Sequence, residues 1–203
     1  MSVYSWSVLT PYDAGWPDAA ERRLTDLRRV LEPLDPEAYF DHIGSTSVAG
    51  LAAKPFLDLQ VRMSQLPDAA ELDPLLLEIG FRPHAGSRPD SPGVHRDSPR
   101  GSDQVPDEVW EKRLFTARDP ATVLHVRRAD SPWGRYTVMF RDWLRAHPSE
   151  VARYATTKQA LAREHADDPD FDDYTRAKTA YFDEVQEQFE TWAGTRGRAE
   201  EHP

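Results

Sequence analysis

His42-Ile43-Gly44-Ser45-Thr46-Ser47-Val48-Ala49-Gly50-Leu51-Ala52-Ala53-Lys54-Pro55 runs directly into Phe56-Leu57-Asp58-Leu59-Gln60-Val61. The first half is a loop of small residues, and the second alternates apolar and polar side chains at the period of a strand. On such a strand Phe56, Asp58 and Gln60 share one face, and Leu57, Leu59 and Val61 share the other. A carboxylate therefore stands on a strand just behind a Gly-Ser turn. Ser45, Thr46 and Ser47 can offer hydroxyls and backbone N–H groups to a phosphate at a helix N-terminus. They can equally serve only as a cap, worth about 1 kcal/mol. Lys54 precedes Pro55, which keeps it out of a regular helix and near the strand entrance. There it either neutralises a phosphate or stays an exposed loop lysine.

The same alternation in residues 121–127 puts Val123, His125 and Arg127 on one face and Leu124 and Val126 on the other. If the two strands are neighbours, Asp58, Gln60, His125 and Arg127 form one polar wall backed by an apolar layer. A carboxylate buried there needs a cation, a metal or hydrogen-bond donors. The plainer alternative is a structural pair of Asp58 with Arg127 or His125. A histidine of ordinary pKa would serve as a metal ligand or as an acid–base group.

Outward from this wall, residues 17–34 read as a helix with Ala19, Leu24, Leu27, Val30 and Leu31 on its apolar face. Residues 38–43 are a short strand and 56–63 a stronger one; 68–79 read as a helix closed by Gly80. The segment 83–106 is rich in Pro, Gly, Ser, Asp and Arg without periodicity, and its length suggests a mobile flap. Residues 112–117 and 121–127 form a hairpin turned by Arg118-Asp119-Pro120. From Trp133 onward the pattern is helical. One helix spans 135–147, and a second follows Pro148 with Ser149 as N-cap and runs to about residue 165. The last, from about 171 to 192, carries Tyr174, Tyr181, Phe182, Val185, Phe189 and Trp192 on one side. The polar tail after Gly194 is expected to fray. The expected fold class is α+β: a small mixed sheet flanked by helices, with a helical C-terminal half. We read 1–203 as a single domain, with its core at about 17–130 and a helical part at about 133–193.

A formal net charge of −10 over 203 residues argues against nucleic-acid and anionic-membrane partners, which call for a basic surface. The chain has no cysteine, so thiolate metal sites and disulfides are excluded. No apolar run approaches the roughly 18 residues of a membrane helix, and residues 1–9 carry no basic-then-apolar leader. A cytoplasmic location is the expectation. Only four of the 25 basic residues are lysine, namely Lys54, Lys112, Lys158 and Lys178. In an arginine-preferring chain each lysine can mark a place that needs a compact ammonium.

The opening run resembles the signature of the GrpB family, a branch of the nucleotidyltransferase fold. The resemblance continues through Phe140-Arg141-Asp142-Trp143-Leu144, Tyr154 with Lys158, and Tyr174 with Lys178, covering most of residues 3 to 192. Nucleotidyltransferases of this fold follow a Gly-Ser element with a strand carrying two acids, which bridge metal ions to a triphosphate. The resemblance thus implies a nucleotide or other phosphorylated small molecule as ligand, Mg²⁺ as cofactor, and nucleotidyl transfer as the reaction. Asp58 and His125 are the implied catalytic pair, with Asp58, Gln60 and His125 around the metal. His42, Gly44, Ser45, Thr46, Ser47, Lys54, Arg127, Arg141, Lys158, Tyr174 and Lys178 are the implied ligand-binding set. Two departures stand out. Gln60 occupies the place of the second acid, and an amide adds no charge to neutralise two Mg²⁺ ions. Ala49 stands where the family usually has proline.

Lys178 lies on the apolar stripe of the last helix, where it needs a partner or an anion unless it reaches solvent along its own methylenes. The resemblance also implies an accessory reading, since GrpB-like domains occur fused to dephospho-CoA kinase; the chain would then assist a protein partner. Several shorter matches carry nothing. The two Tyr-x-x-x-Lys pairs lack a Gly-rich dinucleotide loop, and His95-Arg96-Asp97 lacks every other kinase element. The acidic run from Asp168 lacks the glycine of a calcium loop, and His84 and His147 lack metal-ligand spacing. Trp6, Trp16 and Trp133 can be core or interface.

Overall fold

The computed structural model describes residues 9–86, 88–91, 93–99, 104–168 and 172–200. Trp6, most of the N-terminal leader reading and the expected start of the last helix at Phe171 lie outside them.

The first helix, α1 (Trp16–Leu31), buries Trp16, Ala20, Leu24, Leu27, Val30 and Leu31 at helical spacing. Strands β1 (Tyr39–Ile43) and β2 (Leu57–Met63) flank a short 3-10 turn, Ser45–Ser47. Helix α2 (Ala69–Glu78) is capped by the Asp68 carboxylate, which accepts from the Glu71 N–H, and Gly80 follows it at φ 83°. After β3 (Arg82–Pro83) come β4 (Lys112–Arg118) and β5 (Ala121–Arg128). These pair antiparallel with Arg118 opposite Ala121, the expected hairpin. Helices α3 (Pro132–Ala146), α4 (Pro148–Glu164) and α5 (Asp172–Glu200) complete the chain.

The five strands form one sheet in the order β1-β2-β5-β4-β3. It is mixed, because β2 pairs parallel with β5 while the other pairs are antiparallel. The architecture is the α+β one expected from the sequence, a small mixed sheet flanked by helices with a helical C-terminal half. Strand alternation decides what each sheet face meets. Leu57, Leu59, Val61, Leu124, Val126 and Phe115 pack with α1 and α2 in one core. Beyond the opposite face, α3, α4 and α5 build a second, aromatic core with Tyr136, Trp143, Tyr154, Tyr181 and Phe189. Trp16 belongs to the first core and Trp133 packs against the second. Among the described residues no helix is long and apolar enough to cross a membrane.

Two local expectations are corrected. Helix α4 begins at Pro148 with His147 in the capping position, so Ser149 is not the N-cap; proline fits the first turn because its missing N–H had no partner there. Helix α5 continues past Gly194 to Glu200, so the tail is helical there. The described parts of segment 83–106, expected as a mobile flap, form a strap attached at several points. Arg96 bridges Glu111, the Asp97 N–H donates to Trp110 O at 2.8 Å, and the Lys112 N–H donates to His95 O at 3.0 Å. At the other end, Arg88 Nε and Ser91 Oγ donate to Asp172 Oδ2 at 3.1 and 2.7 Å.

Candidate functional site

The register aligns the polar wall. Asp41 stands opposite Gln60, Gln60 opposite His125, and Arg127 opposite Lys112. Between this wall and helices α3 to α5 lies a cavity of about 480 Å³. Ser45, Asp58, Lys178 and Asp97 line its polar end, and Tyr136, Phe140, Phe182 and Phe189 line its apolar end. The strap closes one side through Gly93, Asp97, Ser98 and Pro99, and Trp133 Nε1 donates to Ser98 O at 2.7 Å.

Gly44 makes the approach of the turn to β2 possible. Its φ is +68° and ψ −168°, a region almost reserved for glycine. A Cβ there would sit 2.7 Å from Asp58 Cβ and 2.8 Å from Asp58 Cγ, and closer still to the carboxylate. Gly44→Ala is expected to cost about 1–3 kcal/mol from the backbone alone and to displace Asp58. Chemical denaturation with nuclear magnetic resonance of the Asp58 region would check it; an unshifted spectrum at wild-type stability contradicts this packing.

The loop residues divide into two groups. Ser45 Oγ faces the cavity and accepts from Lys158 Nζ at 2.7 Å. Thr46 and Ser47 do not face it. Thr46 Oγ1 pairs with His42 Nε2 at 2.9 Å, while Ser47 Oγ donates to Gly44 O at 2.6 Å and Ser47 O accepts from Arg145. These bonds close the turn and engage the side chains of His42, Thr46 and Ser47, all three expected from the sequence as phosphate contacts, within it. Burial, then Arg145 and Arg141, push the His42 imidazole down to about 4, which keeps it neutral.

Arg127 and Gln60 are also committed. Arg127 Nε and Nη2 donate to Asp97 at 2.7 and 3.1 Å, and its Nη1 donates to Gln60 Oε1 at 3.0 Å. That same Gln60 oxygen accepts from Thr137 Oγ1 at 3.1 Å, and Gln60 Nε2 donates to Gly134 O at 3.0 Å. The one Thr137 hydroxyl proton is shared with Gly134 O, also at 3.1 Å, so the firm partner of the Gln60 oxygen is Arg127. Lys112 Nζ lies 3.0 Å from Asp97 and 3.1 Å from His125 Nδ1. Burial, Lys112 and Arg127 hold the His125 ring well below the usual histidine range. His125, expected as an acid–base group, lines the cavity with two cations beside its ring. Arg141 lines the cavity too, and its guanidinium donates to both Asp142 oxygens and to His42 O.

Lys158 and Lys178 gather on the helix side of Asp58. Lys158 is buried and donates to Ser45 Oγ and to Ala52 O, each at 2.7 Å. Lys54 lies 4.0 Å, and Lys178 4.9 Å, from the centre of the Tyr174 ring. Burial, then Lys178, bring both Lys54 and Lys158 down to about 7. Burial also lowers Lys178, with Asp58 opposing. Asp58 is raised by burial, against the pull of Lys178, Lys158, Arg127 and Lys112. Among the described residues neither Asp58 nor Lys178 makes a side-chain hydrogen bond. Three of the four lysines, Lys112, Lys158 and Lys178, thus act on one carboxylate, Asp58, and Lys54 lies beside them against Tyr174 and Lys178. Sequence reasoning missed two members of this region, Lys112 and Asp97. Lysine scarcity marked the first, while the second lay in a segment without periodicity.

The fold implies a divalent metal here, and the residues fit one poorly. Four cationic side chains, Lys112, Arg127, Lys158 and Lys178, face Asp58 and Asp97, and Asp97 is already paired. Among the described residues no group of three His, Cys, Asp or Glu is placed to hold a metal ion.

The family described as GrpB protein matches residues 7–188. A dephospho-CoA kinase of Mycolicibacterium paratuberculosis is 29% identical over 201 residues, covering 93% of this chain and 47% of that relative. The chain therefore spans about half the length of that relative. A UPF0157 protein of Streptomyces coelicolor is 33% identical over 174 residues, covering 84% of this chain and 77% of the relative. Among solved structures, GrpB from Enterococcus faecalis matches with a TM-score of 0.67 at 24% identity, over 91% of this chain and 99% of that one. That match is a likeness of fold.

Proposed function

Because the chain belongs to the GrpB family, we propose that its cavity binds a phosphorylated small molecule, with a nucleotide as the leading class. The observation that carries this reading is the convergence of Lys112, Lys158 and Lys178 around Asp58, with Lys54 sharing the Tyr174 ring with Lys178. Like charges packed together in a half-buried site are costly unless an anion joins them. A phosphate is such an anion, and lysine meets it as a point charge. Ser45 Oγ is the neutral contact at the same end. The opposite end is a ring wall in which Phe140 meets Phe182 edge-on at 4.9 Å, suited to a flat or apolar body.

A thermal-shift panel of AMP, ADP, ATP, dephospho-CoA and CoA, each with and without Mg²⁺, tests this. A compound at 100 times its dissociation constant adds about 2.7 kcal/mol, or about 5–11 °C at this length. A panel that leaves the melting temperature unmoved sinks the reading. Mg²⁺, the cofactor expected from the sequence, is one arm of that panel.

A second reading rests on the relatives named dephospho-CoA kinase, in which the matched stretch makes up 47% of the relative. Here the chain assists a separate protein partner. Size-exclusion of the chain mixed with a dephospho-CoA kinase lacking such a stretch checks it, and separate elution counts against it.

A further inference from the structure

We infer that the cavity takes its phosphate by direct contact with ammonium groups, without a bridging divalent metal, and that Asp58 is the counter-ion of the lysine cluster. This rests on the phosphate-binding reading and specifies how that site neutralises its ligand.

A two-metal site needs several carboxylates converging on one point. Here the position two residues after Asp58 holds Gln60, a neutral amide whose oxygen already accepts from Arg127 Nη1 at 3.0 Å. Asp97, the other buried carboxylate of the wall, is held by Arg127 and Lys112. His125 Nδ1 lies against the Lys112 ammonium. Asp58 alone remains, and the field around it is positive from the sheet side (Arg127, Lys112) and the helix side (Lys158, Lys178). A divalent cation added there would deepen the imbalance, whereas a phosphate dianion relieves it.

Asp58 has a different task in such a site. Its negative charge acts on Lys178, Lys158 and Lys112 alike. It holds the cluster together in the free protein and repels the phosphate once one is bound. The carboxylate that the fold leads one to treat as indispensable becomes, for binding, a competitor of the ligand.

Calorimetric titration of ADP in EDTA and in excess Mg²⁺ tests this on wild type, Asp58→Asn and Lys178→Met. We expect wild type to bind in EDTA within about threefold of its affinity in Mg²⁺. Asp58→Asn should bind more tightly, by about threefold or more, because a like charge beside the phosphate is gone. Lys178→Met should bind at least about thirtyfold more weakly. Binding seen only with Mg²⁺, or weakened by Asp58→Asn, overturns the inference and leaves the phosphate-binding reading standing. Silence of the whole nucleotide and CoA panel removes both. The EDTA comparison on wild type stands even if Asp58→Asn fails to fold, which circular dichroism would reveal.

Discussion

Asp97→Ala is expected to destabilise the protein by about 3–5 kcal/mol, the range for removing one partner of a buried ion pair. The Asp97 carboxylate is 5% exposed and the two cations it holds, Lys112 and Arg127, are 2% and 3% exposed. Its distances are 2.7 Å to Arg127 Nε and 3.0 Å to Lys112 Nζ. Without it two positive charges stay desolvated side by side, and the strap loses its side-chain tie to β4 and β5. Burial alone would raise the Asp97 carboxyl, but Arg127 and Lys112 overcome it and hold it below the usual carboxylate range. The stability it supplies is therefore present above the unfolded carboxylate pKa of about 3.9 and lost as the pH falls through the lower folded value. Urea unfolding at neutral pH checks the magnitude. A loss under about 1 kcal/mol, the scale of exposed pairs, would mean that the cluster contributes nothing as a unit.

Raising the pH from 7 to 9 is expected to weaken ADP binding by at least about tenfold. Lys54, facing Tyr174 and Lys178, and Lys158, facing Ser45, Tyr154, Asp58, Lys54 and Lys178, both titrate at about 7 in the free protein. A bound phosphate favours their charged forms and raises both values. Below pH 7 the ammonium groups are already present and affinity is full; above it, binding must take up protons, so affinity falls until the bound-state values are reached. The terminal phosphate loses its last proton near pH 6, so the ligand's own charge is constant across this window. The free protein responds with the opposite sign. Lysines in the unfolded chain stay protonated to about 10.4, so the unfolded state holds more protons above pH 7 and stability from these two groups rises there. Titration calorimetry in buffers of different ionisation enthalpy measures the proton uptake directly. A flat affinity profile with no proton uptake would show that neither lysine meets the ligand, and Lys158→Met should flatten the wild-type slope.

Legibility followed the reach of local patterns. Strand alternation identified the wall of Asp58, Gln60, His125 and Arg127, and the parallel pairing of β2 with β5 brings its members into register. The same alternation is silent about what lies across the face. That Gln60 and His125 are taken up by Arg127, Thr137 and Lys112 depends on a helix and a strand distant in sequence. Asp97 was invisible because a segment without periodicity gives no face to assign. The Ser-Thr-Ser turn read as three equivalent phosphate contacts, yet a three-residue 3-10 turn points successive side chains in different directions. Only Ser45 faces the cavity.

The sequence by itself determined the order of elements, the apolar core under the sheet and the family, because each is written in spacing along a few dozen residues. It also marked lysine as scarce. Only the tertiary structure decided that Lys112, Lys158 and Lys178, separated by up to 66 positions, meet around Asp58. Convergence of charge is set by how helices fold back over a sheet face, and no local period encodes that distance.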